Sequence, residues 1–158
     1  MTRLPPIGLC PGNEAVIRRS LELGGRLFSV PVPGGLAPPP EVVAVPYNLL
    51  EQKEANARIG RLARDGKRIV ATRVLAGGVL VDGRLDPRHA GYRALARKGR
   101  TLAQAAIQFV LANESVECAL VRVSRPEHVE EVLRATDVEP LSGQDLELIF
   151  ELWANRFD

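Results

Sequence analysis

"GRLFSVPVPGGLAPPPEVVAVPYNLLEQ", residues 25–52, holds two β-rich runs with no helical period between them. "RLFSV" (26–30) and "VVAVPY" (42–47) are short and rich in β-branched and aromatic residues, which marks strands. They are joined by Gly34 to Pro40, "GGLAPPP". A parallel return must carry the chain from the end of one strand back to the start of the next. A strand of five or six residues spans roughly 17–20 Å, and seven residues of polyproline II, at about 3.1 Å each, reach about 22 Å. The linker is therefore long enough to make the return with no helix. Pro38, Pro39 and Pro40 favour that extension and bring no N–H groups that need partners. An ordinary surface loop is the other reading of the same residues. Neither places a helix over this part of the sheet.

Outward from this stretch, strands alternate with helices. "LPPIGLC" (4–10) reads as a short buried strand opened by prolines. "NEAVIRRSLELG" (13–24) reads as a helix capped by Asn13 and closed by Gly24. "LEQKEANARIGRLARDGK" (50–67) is a helix with Ala55, Ile59, Leu62 and Ala63 inward, and "RIVATRVL" (68–75) is a covered strand. "AGGVLVDGRLDPRHAGY" (76–92) is a long loop by its Gly, Asp and Pro content. There follow a helix (101–115), a strand "VECALVRV" (116–123), a helix with Pro126 in its first turn (125–136), and a last helix capped by Ser142 (142–157). Such alternation predicts a parallel sheet.

The chain has 158 residues, of which 46% are hydrophobic and 4% aromatic, enough for one domain with a real core. With 21 basic and 19 acidic residues, read as interspersed, the net charge of +2 gives no footprint for nucleic acid. No apolar run is long enough to cross a bilayer, and "MTRLPPIG" lacks a signal-peptide core. Cys10 and Cys118 make neither a disulfide framework nor a metal cluster. No metal, nucleic acid or membrane is expected as a partner, and a cytoplasmic location is.

These segments, in their order, resemble an aldo-keto reductase whose middle is missing. "LPPIGL" followed by "EAVIRRSLELGGRLFSV" is similar to the family's first strand, first helix and second strand. "VVAVPYNLLEQ" resembles its sixth strand, "GKRIVATRVLAGGVL" its seventh, and "TLAQAAIQFVLAN…VECALVRVSRPEHVEEVLRA" the helix, eighth strand and cofactor helix that close the barrel. "PLSGQDLELIFEL" is similar to the C-terminal helix. Strands three to five have no counterpart, and "GGLAPPP" stands where they would be. The resemblance implies an α/β fold, an incomplete TIM-barrel-like parallel sheet of about five strands with surrounding helices. It implies a single domain over residues 1–158: a first β-α-β unit (1–33), a Pro/Gly linker (34–40) and the C-terminal half of a barrel (41–158).

Members of that family reduce carbonyls with NADPH, using a Tyr as general acid, a Lys and an Asp that tune it, and a His that orients the carbonyl. The resemblance places Ser29 at the Asp position and Gly34 near the Tyr position, while the Lys and His belong to the missing strands. No catalytic residue is therefore assigned. The cofactor half is better kept. Arg73, Leu75, Gly77 and Gly78 match the loop that wraps the pyrophosphate. Ser124 and Arg125 match donors to the 2′-phosphate, and Glu131 an acidic adenosine contact. Against these, Thr72 replaces the aromatic that stacks on nicotinamide, Val121-Arg122 replaces Pro-Gly, and Val132 replaces an Asn. The expected cofactor is none, or weakly bound NADPH. The other reading of Ser124 and Arg125 is that they simply cap and solvate a helix.

Tyr47 falls on a structural position, and Tyr92 in the long loop. His89 reads as a solvated loop residue and His128 as lying on the exposed first turns of a helix. "RALARKGR" (93–100) reads as a solvated charge run, with a weak anion site among Arg93, Arg97, Lys98 and Arg100 as its functional alternative. The function expected is a degenerate, binding or regulatory member of the family with a small-molecule ligand. The alternative is an enzyme of changed chemistry: a lyase, a cyclase, an isomerase, or a reductase completed across an oligomer interface. A homodimer is expected around the linker and the last helix. Two strands lose their neighbours there, Leu27, Val30, Val43 and Val45 face inward, and Phe150, Trp153 and Phe157 share one helix face.

Overall fold

The computed structural model describes residues 8–9, 26–29, 42–81, 85–97, 99–122 and 127–155. Its centre is a parallel sheet of β1 (Gly8–Leu9), β2 (Arg26–Ser29), β3 (Val42–Pro46), β4 (Arg68–Thr72) and β5 (Val116–Ala119), in that spatial order. The α/β class and the five parallel strands agree with the sequence reading. The helix expected at 13–24, the linker 34–40, Cys10 and Phe157 lie outside the described residues.

The strands on either side of the linker are direct neighbours in the sheet. β2 pairs with β3 in parallel, Phe28 opposite Val42 and Ser29 opposite Val43. The two strands expected to lose their neighbours therefore pair with each other within one chain. β3 and β4 pair over their whole length, from Val42 opposite Arg68 to Pro46 opposite Thr72. Pro46 sits at the last position of its strand, and the next N–H, from Tyr47, donates to the Thr72 carbonyl at 3.0 Å. Among the described residues no ladder joins β5 to β1, so the sheet is open, a partial barrel.

α1 (Lys53–Arg64) starts three residues later than its sequence pattern suggests. Asn48 takes the intervening residues, its Oδ1 accepting from the N–H groups of Leu50 (2.9 Å) and Glu51 (3.0 Å) in an Asx turn. The helix ends at Gly66, whose φ of +70° suits a left-handed C-terminal stop. Ala55 and Ile59 are buried and Leu62 and Ala63 half-buried, as expected. Among the described residues no helix is long and apolar enough to cross a membrane.

Two apolar clusters meet at α2 (Leu102–Leu111). One holds Val43, Val45, Ile59, Ile69, Ala71 and Val110 between the sheet and the helices. The other holds Leu49, Leu80, Tyr92, Leu95, Leu102 and Ile149. Because α2 faces both, it is apolar nearly all round, as a helix without a solvent face should be. Its start is fixed by a capping box between Thr101 and Gln104.

The second cluster corrects the reading of residues 76–92 as a loop. Ala76–Gly78 form a 3₁₀ turn, and Pro87–Leu95 form a longer 3₁₀ helix opened by Asp86, whose side chain accepts from the Arg88 N–H at 2.9 Å. Tyr92 and Leu95 point inward from it. Gly91 permits its approach to the C-terminal helix, since a Cβ there would collide with Leu152 Cδ2. His89 lies half-buried on this helix, its ring 6.5 Å from that of Tyr92, and is not a solvated loop residue. β5 gives way to α3 (Glu127–Leu133), a 3₁₀ turn (Arg134–Thr136) and α4 (Gly143–Ala154). His128 is half-buried on the first turn of α3. A capping box of Ser142 and Asp145 starts α4 where the sequence placed its cap.

Candidate functional site

In open and closed α/β sheets ligands bind beyond the C-terminal ends of the parallel strands. Here that end is built around the exits of β3 and β4. The chain leaves β4 through Arg73 and Ala76, both non-glycine residues with positive φ (53° and 48°), and then Gly77 and Gly78 (69° and 93°). Left-handed backbone at a non-glycine residue costs roughly 1–2 kcal/mol, so something must hold Arg73 there. Asn48, buried at the exit of β3, does so. Its Nδ2 donates to the Arg73 carbonyl at 3.1 Å and to Glu51 Oε2 at 3.2 Å, while the Arg73 guanidinium pairs with Glu51 Oε1 at 3.7 Å. The result is a clamp across the tops of the two strands.

The matched cofactor residues are thus partly assembled. Arg73, Leu75, Gly77 and Gly78 lie in one turn, with Leu75 half-buried against both clusters and open space where a Gly77 side chain would stand. Glu131 lies elsewhere, on α3, where its Oε1 accepts from the Thr101 hydroxyl at 2.7 Å. Ser124 and Arg125 lie outside the described residues. Glu131 lines a separate, open groove of about 560 Å³ with Arg97, Arg100, Thr101, Gln104 and Arg134. The walls of that groove bond to one another. Gln104 donates to the Glu131 carbonyl at 2.9 Å, and Arg134 pairs with Glu130 at 2.6 Å.

The anion site proposed for the 93–100 run is corrected by the same geometry. Arg100 is 3% exposed and donates to the carbonyls of Leu95 (3.1 Å) and Glu139 (3.2 Å) and to Asp145 Oδ2 (3.0 Å). Arg97 bonds the other oxygen of Asp145. Two of the four cations are therefore engaged by one buried carboxylate, and Lys98 lies outside the described residues. Asn48 and Asp145, the two side chains that organise this region, were not singled out as site residues from the sequence. Asn48 directly after a strand and Asp145 three residues after Ser142 are the local signals that point to them.

Both tyrosines of the chain are buried, Tyr47 at 3% exposure and Tyr92 at 1%. The Tyr92 hydroxyl donates to the Leu49 carbonyl at 3.1 Å, which makes it a strut of the second cluster rather than a loop residue. Burial pushes the Tyr47 hydroxyl above its ordinary range, against the opposing hydrogen bonds of Asn113 and Asn56. A raised pKa in the folded state means that the protonated phenol stabilises the fold below the unfolded value. That contribution is lost as pH rises from about 10 through the folded value. Tyr47→Phe is expected to cost about 0.5–1.5 kcal/mol at neutral pH. Above about pH 10 the gap to the wild type should shrink. Denaturant titrations of both proteins at neutral and alkaline pH check this; a gap that widens in alkali refutes it.

The sequence matches the aldo/keto reductase family over residues 36–154. The chain belongs to that family. Its fold is also that of solved aldo-keto reductases. The holo form of AKR11C1 from Bacillus halodurans superposes with a TM-score of 0.61 at 18% identity, over 87% of this chain and 44% of that one. The apo form of the same enzyme gives 0.62 at 17% identity, over 90% and 49%. A thermostable aldo-keto reductase solved with the inhibitor epalrestat gives 0.57 at 20% identity, over 93% and 48%. The chain spans less than half the length of these structures. No curated protein matches it.

Proposed function

We propose that this member of the aldo/keto reductase family does not carry out NADPH-dependent carbonyl reduction and acts as a binding or regulatory protein. The observation that carries this reading is the fate of its phenols. The chain has two tyrosines, and both are buried, one tied to Leu49 and one facing Asn56 and Asn113. General acid catalysis contributes about 10²–10⁴-fold, and neither hydroxyl is placed to supply it to a substrate. Of the groups matched to the cofactor, Arg73 is engaged with Glu51 and Glu131 with Thr101, which counts against tight NADPH binding. The reading of an enzyme with changed chemistry calls for convergent polar groups in a pocket. The groove beside Glu131 offers polar groups that bond one another. A cytoplasmic location belongs to the same proposal.

A steady-state assay of a small aldehyde with NADPH tests this directly. No turnover above the protein-free rate is expected, and NADPH-dependent turnover by the purified chain overturns the reading. Calorimetry with NADPH on the wild type and on Arg125→Ala tests the cofactor half. Any binding is expected to be weak and to be lowered further by Arg125→Ala. Tight binding indifferent to that change would show the phosphate site to be misplaced.

A further inference from the structure

The charges of this chain are not interspersed, as a first reading of its composition suggests. Residues 127–158 carry nine acidic and two basic side chains, a net −7, while residues 1–126 carry ten acidic and nineteen basic, a net +9. The structure turns this division into two helix faces of opposite character. On α4, Leu146 is 44% and Phe150 67% exposed, and with Glu147 and Glu151 they line a shallow cleft of about 380 Å³. This face presents a large apolar knob beside two carboxylates. On α1, the outward face carries Lys53, Glu54, Ala57, Arg61 and Arg64, all exposed, three basic groups to one acidic, and half-buried Gly60 with open space where its side chain would be. The Arg64 Nε donates to the Gly60 carbonyl at 3.1 Å, which holds that guanidinium beside the glycine. This second face is a floor of small residues between basic posts.

We propose that these two faces are the halves of a contact between two copies of this chain, the α4 of each seated on the α1 of the other. Phe150 and Leu146 lie over Ala57 and Gly60, and Glu147 and Glu151 meet Lys53, Arg61 and Arg64. In a two-fold dimer the contact is made twice, since residue i touching j requires j touching i. Pairing α4 with α4 would instead set carboxylates against carboxylates, which costs specificity and affinity. The direct pairing of β2 with β3 takes the expected homodimer away from the linker strands, and these helix faces supply it with a surface. The proposal does not depend on whether the chain reduces a carbonyl.

Charge reversal tests it, because each change is on an exposed helix face. One variant carries Glu147→Lys and Glu151→Lys; the other carries Arg61→Glu and Arg64→Glu. Light scattering coupled to size exclusion at micromolar concentration is expected to give the wild type twice its 17.2 kDa mass. Each variant alone should be monomeric, since both of its contacts would join like charges. An equimolar mixture should return to the dimer mass, since both contacts are then complementary. Raising the salt from about 0.1 M to about 1 M, which shortens the screening length from roughly 10 to 3 Å, should weaken the wild-type dimer on the order of tenfold. A monomeric wild type overturns the proposal. So does a dimer that both variants leave intact, or a mixture that stays monomeric while circular dichroism shows both variants folded.

Discussion

Asp145→Ala is expected to destabilise the fold by about 3–5 kcal/mol, the usual cost of removing one partner from a buried ion pair. Asp145 is 1% exposed, and one of its oxygens accepts from the Ser142 N–H at 2.9 Å and from the Arg100 guanidinium at 3.0 Å. The substitution leaves Arg100 buried beside two carbonyls with no anion, releases Arg97, and removes half of the capping box of α4. Out of a typical 5–15 kcal/mol for a domain, that is a large fraction. Burial alone would raise the Asp145 pKa. The Ser142 N–H and the Arg100 guanidinium outweigh it and hold the carboxyl below the ordinary carboxylate range. A lowered pKa in the folded state gives stability that is present above about pH 4 and is lost as pH falls through the folded value. Asp145→Asn should therefore remove part of the acid sensitivity. Urea titrations at pH 7 and in acid measure both effects. A loss under about 1 kcal/mol at pH 7 would mean that the pair is solvated, as exposed pairs are.

Ile69→Ala should cost about 2–5 kcal/mol, by lost burial and by the cavity left behind. Ile69 is fully buried in the middle of the sheet, opposite Val43 on one side and Val116 on the other. It belongs to the cluster that joins the sheet to α1 and α2. Leu133→Ala, which truncates an exposed leucine on α3, should change stability by no more than about 0.5 kcal/mol. For a domain of this size each kcal/mol moves the melting temperature by about 2–4 °C, so the two variants are separable by thermal denaturation. Equal shifts would contradict the assignment of the core.

The strands and most helices were legible because their signals are local. Val42, Val43 and Val45 announce a strand by themselves, and Thr101 with Gln104, or Ser142 with Asp145, announce helix starts within four residues. The Pro87–Leu95 helix was not legible. Its Gly, Asp and Pro content reads as loop, and a 3₁₀ helix has no 3.6-residue apolar period to find. Arg100 was misread for a different reason. It stands in a basic run, and its partner Asp145 lies 45 residues away, so only the folded chain shows that the pair is buried. The strand read over 68–75 ends at Thr72, because the chain turns at Arg73, and the clamp that engages Arg73 depends on Asn48 at the end of another strand. Arg73, Leu75, Gly77 and Gly78 share that turn, while Glu131 lies on another element, α3.

The order of the sheet bears on which lengths of this fold can exist. In a sheet wound in chain order, β1-β2-β3-β4-β5, every strand lies between its sequence neighbours. Removing a contiguous run of whole units therefore disturbs a single junction, and the two flanking strands are already parallel and facing the same way. A doubly wound sheet has no such freedom, because its strand order reverses and one excision would break two neighbourhoods at once. The pairing of Phe28 with Val42 and Ser29 with Val43 is such a junction, closed. In a sheet of this order strand number can change by whole units at a single junction, and here β2 and β3 meet directly as parallel neighbours.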